Sequence, residues 1–237
     1  MANDSVAGTL YLIPLPIADN GLLALSPEVK EYTAEITHYF VENVRTARRF
    51  LRALHPLLVI DTLHFSEIDK HTGADTELLR EWLKTGLSIG VMSEAGCPGI
   101  ADPGANLVAI AHDAGSTVIP LTGPNSLILA IMASGLNGQS FSFTGYIPVK
   151  DPMRATRIKE LEALSIKERQ TQLFIETPYR NDNLLADLLK HCHPKTRICI
   201  AQNITAPDAF IKTRTASDWG KNIPILGKTP AVFLLLG

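Results

Sequence analysis

Ser93-Glu94-Ala95-Gly96-Cys97-Pro98-Gly99-Ile100-Ala101-Asp102-Pro103-Gly104 is the stretch from which the rest of the chain is read. An apolar run, residues 87–92, feeds into it, and an apolar helical pattern, residues 107–114, leaves it. The order is therefore strand, loop, helix. In open α/β sheets, ligands bind beyond the carboxyl ends of the strands. Glycines there let backbone N–H groups approach a ligand, and prolines stiffen the loop. Glu94 and Asp102 stand in a segment with no Lys or Arg, which favours a ligand with hydroxyls or positive charge over a bare phosphate. Gly and Pro are also ordinary turn punctuation, so the surrounding sequence has to decide.

Working outward, the pattern repeats. Residues 9–13 form a short apolar strand that runs into Pro14-Leu15-Pro16 and a loop with Asn20-Gly21. Ser26-Pro27-Glu28 is a helix start: a capping Ser, Pro at the first helical position and an acid in the first turn. Residues 36–41 make a second strand, ending at Glu42-Asn43. From residue 44 to 54 the spacing is helical, and Arg45, Arg48, Arg49 and Arg52 fall at i, i+3, i+4 and i+7 on one face. That stripe is either a solvated face or a surface for a phosphate backbone. Residues 64–71 look polar and irregular, residues 75–84 helical, and residues 117–120 a strand leading into Leu121-Thr122-Gly123-Pro124-Asn125. A helix over residues 126–134 follows, whose free N–H groups suit a carboxylate. Strand and helix alternate, which implies a mainly parallel sheet.

The second half reads as strands at residues 141–144, 171–175, 197–201, 210–213 and 231–236, with helices over about 151–164 and up to about 190. This mixture predicts antiparallel pairs. Arg154, Arg157 and Lys159 read as a solvated helix face, and Glu176-Thr177-Pro178-Tyr179-Arg180 ends a strand. In His191-Cys192-His193 the side chains are too close together for one tetrahedral metal site, so a helix terminus is the better reading and no metal is expected.

Composition bounds these readings. With 237 residues, 46% hydrophobic and 19% charged, the chain can bury a sizeable core as one large or two small domains. A formal net charge of -2 argues against a surface built wholly for nucleic acid, though not against a local basic patch. Three cysteines, Cys97, Cys192 and Cys199, fit no disulfide framework, and residues 1–5 carry no apolar leader core. No apolar run reaches membrane-spanning length. A cytoplasmic protein is expected. The Walker A pattern, a strand-linked G-x-G-x-x-G and the G-x-S-x-G elbow are all missing from the sequence, which lowers the nucleoside triphosphate, NAD and serine hydrolase readings. What remains is a two-part α/β protein whose strand-end loops suit a small molecule in a crevice.

Those loops, in that order, resemble the tetrapyrrole methylase superfamily of S-adenosylmethionine (SAM)-dependent methyltransferases, within it the branch of ribosomal RNA small-subunit methyltransferase I. Gly8-Thr9-Leu10-Tyr11 with Pro16-Ile17 is similar to that branch's opening G-T-L-Y-x-x-x-T-P-I-G. Glu42-Asn43-Val44-Arg45 with Arg48-Arg49 resembles E-D-T-R-x-T-R-R, and residues 93–98 with Asp102-Pro103-Gly104 resemble S-D-A-G-T-P and D-P-G. Residues 120–124 resemble P-x-P-G-P, and residues 176–180 resemble E-S-P-H-R. The resemblance runs from about residue 8 to the C-terminus.

It implies two α/β domains, 1–121 and 122–237, the first sheet mainly parallel and the second mixed, with a hinge near residues 121–125 and a cofactor cleft between them. It implies SAM as cofactor, against Pro14, Leu15, Pro16, Ser93, Glu94, Ala95, Gly96, Ile100, Ala101, Ser126, Leu127, Glu176, Thr177, Pro230 and Ala231. It implies a homodimer and, as acceptor, a cytidine ribose 2′-hydroxyl in RNA of the small ribosomal subunit, with Arg45, Arg48, Arg49 and Arg52 on the RNA. A base helps a hydroxyl acceptor; the candidates are Glu42, Glu94 and Asp102, chosen only for their strand-end positions. A tetrapyrrole-like small-molecule acceptor and a SAM-binding module without transfer are the alternatives. The last gains from one departure: the branch's R-E-L-T-K-x-x-E appears as Gln202-Asn203-Ile204-Thr205-Ala206-Pro207-Asp208-Ala209, with most of its charges gone.

Overall fold

The computed structural model describes residues 7–19, 21–69 and 71–237; residues 1–5 and Asn20, which entered the reading above, lie outside them. The chain forms two compact units, residues 1–125 and 126–237.

The first unit alternates β1 (Thr9–Leu12), α1 (Pro27–Thr33), β2 (His38–Val41), α2 (Val44–Leu54), β3 (His64–Glu67), α3 (Thr76–Lys84), β4 (Ser88–Met92), α4 (Ala105–Asp113) and β5 (Thr117–Pro120). The strands make one sheet in the order β3-β2-β4-β1-β5, all parallel. Crossovers from β1 to β2 and β2 to β3 run one way along the sheet; those from β3 to β4 and β4 to β5 run the other way. With right-handed crossovers, the two pairs of helices must cover opposite faces. They do: Val29, Ala47, Phe50 and Leu51 of α1 and α2 pack with Ile13, Tyr39 and Val41, whereas Leu79, Leu83, Leu107 and Ile110 of α3 and α4 pack with Leu10, Phe40 and Ile89. Adjacent residues of β2 point to opposite cores, as strand geometry requires. β4 sits between two strands whose helices leave on the other face, so its outgoing loop enters a switch-point crevice.

Two local details hold this sheet. Gly90 is needed because a Cβ there would lie 2.6 Å from the Tyr39 ring, which crosses β4. Asn43 caps α2, its Oδ1 accepting from the Thr46 N–H at 3.0 Å. Residues 64–67, read as irregular, are the edge strand β3. Three of its four side chains are polar, in keeping with an edge strand paired only with β2, while Phe65 stacks on Tyr39 with ring centroids 5.5 Å apart.

The second unit runs α5 (Ser126–Ser134), β6 (Phe141–Tyr146), α6 (Met153–Glu168), β7 (Thr171–Ile175), α7 (Asn181–His191), β8 (Arg197–Gln202), β9 (Phe210–Thr215), α8 (Ala216–Lys221) and β10 (Ala231–Leu236). Its sheet has the order β6-β7-β10-β8-β9, with β6 parallel to β7 and every other pair antiparallel. This is the mixed sheet expected. Phe233, Leu235, Phe174, Ile158, Leu161 and Leu184 fill its core, and Trp219 of α8 closes one side by donating Nε1–H to the Ile198 carbonyl at 2.9 Å. α8 escaped the sequence reading because six residues are too few for a periodic signal. Arg154 corrects another expectation. It is buried, because it precedes Ile158, Leu161 and Ser165 at i+4, i+7 and i+11 on the inward stripe of α6.

Among the described residues, no helix is long and apolar enough to cross a membrane.

Candidate functional site

In the first unit, four strand ends meet. β1 leads into Pro14-Leu15-Pro16, and Leu15 forms an antiparallel bridge with Gly96: Leu15 N–H donates to the Gly96 carbonyl at 2.8 Å, and Gly96 N–H donates back at 3.0 Å. This joins the loops after β1 and β4. Gly96 has φ +70°, a conformation that glycine takes without a steric cost. The loop after β5 closes on both. A Cβ at Gly123 would lie 2.3 Å from Pro14 Cγ, so the glycine lets backbone and proline ring touch. The Cys97 thiol donates to the Pro124 carbonyl at 3.5 Å. From the other side, Glu42 at the end of β2 accepts the Glu94 N–H on Oε2 at 3.2 Å. The expected candidates Pro14, Leu15, Pro16, Glu42, Ser93, Glu94, Ala95 and Gly96 are thus brought into one cluster.

Their side chains differ in availability. Ser93 is buried and its hydroxyl donates to the Ala95 carbonyl at 3.0 Å, so it shapes the turn. Glu94, Ala95, Ile100 and Ala101 are exposed, with Ala101 in the left-handed region at φ 62°. Asp102 is half-buried just before α4. Burial raises the Cys97 thiol above its usual value and the Asp102 charge adds to this, while a hydrogen bond with Asn125 opposes it. The thiol is therefore neutral near pH 7 and serves the loop as a donor. The loop after β5 is anchored in turn by Glu28 of α1, whose Oε1 accepts the Thr122 N–H at 2.9 Å; that bond lowers the pKa of the Glu28 carboxyl.

The second unit gathers its own candidates at one end of its sheet. Ile175 of β7 faces Val232 of β10, which places Glu176 and Thr177 beside the start of β10, at Pro230 and Ala231. Glu176 is buried and fully engaged. Oε1 accepts from Arg180 Nη2 at 2.7 Å, from Arg180 Nε at 3.0 Å and from the Thr177 N–H at 2.8 Å, and Oε2 accepts from Arg154 Nη2. Arg154 Nη1 also donates to Asp187 at 3.1 Å. Burial by itself pushes the Glu176 pKa up. The Arg180 and Thr177 hydrogen bonds and the two positive charges outweigh it and hold the group below its ordinary value. The loop before β10 is pinned by α7: Asn181 donates to the Thr229 carbonyl at 2.8 Å, and Asp182 accepts from the Leu226 N–H at 2.7 Å. In residues 202–209 two polar side chains are engaged within the unit. Gln202 donates to the Leu226 carbonyl, and Asn203 donates to Asp208. Ser126 and Leu127 open α5, with Leu127 buried.

The stripe Arg45, Arg48, Arg49 and Arg52 is exposed along α2, opposite the buried Ala47, Phe50 and Leu51. Arg48 pairs with Asp61. Residues 191–193 end α7 in a turn, where Glu162 accepts the His193 N–H at 2.7 Å and burial drives the Cys192 thiol up to about 12. Among the described residues, no three His, Cys, Asp or Glu side chains are grouped to hold a metal. The sequence reading put Arg154 on a solvated face and did not single out Asp187. Helical spacing from Ile158 was the signal that marked Arg154 as inward.

This architecture has known counterparts. The methyltransferase CobJ superposes over 98% of this chain and 95% of its own with a TM-score of 0.62 at 19% identity. A uroporphyrin-III C-methyltransferase from Thermus thermophilus, complexed with S-adenosylhomocysteine, gives 0.55 at 14% identity over 97% of each chain. The fold is thus that of the two-domain tetrapyrrole methylases. No family model matches the sequence. Proteins called ribosomal RNA small subunit methyltransferase I do match it. The one from Vibrio cholerae is 33% identical over 199 residues, 84% of this chain and 66% of its own, and the one from Synechocystis is 30% identical over 198 residues, 84% and 67%. The chain belongs to the ribosomal RNA small subunit methyltransferase I family, and spans about two thirds of the length of these relatives.

Proposed function

We propose that the chain is a SAM-dependent methyltransferase whose acceptor is a ribose 2′-hydroxyl in ribosomal RNA of the small subunit. The observation that carries this reading is the union of the loops after β1, β2, β4 and β5 through the Leu15–Gly96 bridge, the Pro14–Gly123 contact and the Glu42–Glu94 hydrogen bond. SAM presents ribose hydroxyls, an amino acid and a sulfonium cation. The loop suits such a ligand by its chemistry: small exposed residues at Ala95 and Ala101, an exposed apolar side chain at Ile100, the Glu94 carboxylate, and no cation in residues 93–104.

Pro14, Leu15, Pro16, Glu94, Ala95, Gly96, Ile100 and Ala101 hold the cofactor, and Ser93 keeps their turn. Ser126, Leu127, Thr177, Pro230 and Ala231 are the further candidates, with Glu176 acting through Arg180 and Thr177. When bound, SAM supplies a methyl group already activated by its sulfonium. The protein's task is then to align the acceptor oxygen and exclude water. Glu42, Glu94 and Asp102 remain the candidates to take the acceptor's proton. Arg45, Arg49 and Arg52 bind the RNA backbone.

The cofactor half is tested by calorimetry with SAM, where no heat at millimolar cofactor ends the reading. The acceptor half is tested by radiolabelled methyl transfer to ribosomal RNA from an undermethylated strain. Cofactor binding with no transfer favours a SAM-binding module, a reading supported by Gln202 and Asn203, whose side chains are already engaged within the fold. A cytoplasmic location follows from such an acceptor, and a homodimer is the assembly to look for by light scattering.

A further inference from the structure

Two exposed tyrosines of the second unit stand near one guanidinium that the rest of the fold holds still. Tyr146 ends β6 and is paired in register with Ile175, the last residue of β7. Tyr179 and Arg180 lie in the short 3₁₀ turn, Pro178–Arg180, that follows β7. The tyrosine side chains remain in solvent, Tyr146 60% and Tyr179 66% exposed, and offer aromatic faces with a polar tip. Arg180 sits over the Tyr179 ring, its Cζ 5.1 Å from the centroid, and its Nη1 donates to the Tyr179 hydroxyl at 3.3 Å. Its Nε and Nη2 are taken by Glu176, and Glu176 is itself clamped by buried Arg154. The guanidinium plane is therefore preset before any ligand arrives, and little side-chain entropy is left to lose on binding.

We propose that Tyr146, Tyr179 and Arg180 form a stacking platform for an unpaired base of the RNA acceptor, an inference that rests on the ribosomal RNA reading above. RNA enzymes and binding modules recognise single-stranded bases by stacking them on aromatic rings and on Arg planes. Exposed aromatic faces around a cation match a base beside a phosphate. They match a buried apolar protein interface less well, since the patch holds the Arg180–Glu176 ion pair. The Arg154–Glu176–Arg180 chain then acts as a positioning device for the platform.

The test uses the full chain and a short fluorescein-labelled, cytidine-rich single-stranded RNA, read by anisotropy, with SAM affinity measured in parallel by calorimetry. Tyr179→Ala and Tyr146→Ala are each expected to weaken RNA binding roughly 5- to 150-fold. Tyr179→Phe keeps binding within about twofold, since the ring and not the hydroxyl does the stacking. SAM affinity stays within about twofold in all three, which also shows that they fold. RNA binding unchanged in both alanine variants overturns the platform, and so does a Phe variant as weak as the Ala variant. If the unsubstituted chain binds SAM but not this RNA, the platform is overturned while the cofactor reading stands. If it binds neither, the proposed function itself has failed.

Discussion

Replacing Glu176 by Ala removes the one carboxylate that, among the described residues, touches both Arg154 and Arg180. Arg180 is a quarter exposed and can turn to water, but the Arg154 side chain is 4% exposed and cannot. It would keep Asp187 at 3.1 Å and lose its shorter partner, while its Nε already has no hydrogen-bond partner. Breaking a buried ion pair in this way costs about 3–5 kcal/mol. Glu176→Gln keeps one acceptor oxygen and costs less, about 1–3 kcal/mol. Of the two tryptophans, Trp219 is buried in the second unit and Trp82 lies in the first. In a Trp82→Phe background, Trp219 fluorescence therefore reports unfolding of the second unit. With a urea slope of about 2 kcal/mol/M, Glu176→Ala moves the midpoint down by about 2 M. The pH dependence supplies the sign. The folded pKa of Glu176 is depressed, so its stabilisation is complete above the ordinary value of 4.5 and lost as pH falls through the folded value. The gap between the parent and Glu176→Ala should be constant at neutral pH and close in acid. Arg154→Met with Glu176→Leu should recover much of the loss, because apolar packing replaces the buried charges. A midpoint shift below about 0.3 M, or a gap that does not change between neutral and acid pH, would refute the account.

Gly123→Ala places a methyl group 2.3 Å from a proline ring that cannot rotate away, so the loop must move at a cost of about 1–3 kcal/mol. SAM affinity by calorimetry should fall several-fold, and an unchanged affinity would remove this loop from the site. Replacing Arg45, Arg49 and Arg52 by Glu should weaken binding to ribosomal RNA and make its salt dependence shallower by about 2 in the log–log slope. Equal slopes would leave the stripe as a solvated helix face. His38 and His55 both have lowered pKa values: burial comes first in each case, helped by His64 beside His38 and Lys30 near His55. The folded state prefers their neutral forms, so stability is full above pH 6.5 and declines as pH falls through the folded values. His38→Phe should flatten that decline in thermal melts; an unchanged slope would assign it elsewhere.

The elements that local chemistry announces are those with strong periodicity or clear punctuation. The helix over residues 44–54 is legible because four arginines oppose Ala47, Phe50 and Leu51 on a 3.6-residue repeat; its cap, Asn43, is seen in the structure. The buried strand at residues 231–236 and the loop at 93–104 are legible because apolar runs and Gly-Pro clusters need no distant partner to be recognised. β3 was hidden: His64-Phe65-Ser66-Glu67, with one apolar residue in four, becomes a strand only by pairing with β2, some 26 positions earlier by register of His38 with His64. α8 left one local clue, Thr215 accepting the Asp218 N–H as a cap, in a segment too short for periodicity.

The site divides along the same line. Residue types and spacing placed Pro14, Glu42, Gly96 and Gly123 at strand ends, since a strand followed by a Gly- or Pro-rich turn is a local event. That Leu15 bridges Gly96, that Gly123 admits Pro14 and that Arg154 is drawn inward to clamp Glu176 arose from packing between segments far apart in the chain. Burial turned Glu176 from an available carboxylate into the centre of an ion network, because a charge removed from water must find its partners wherever the fold supplies them.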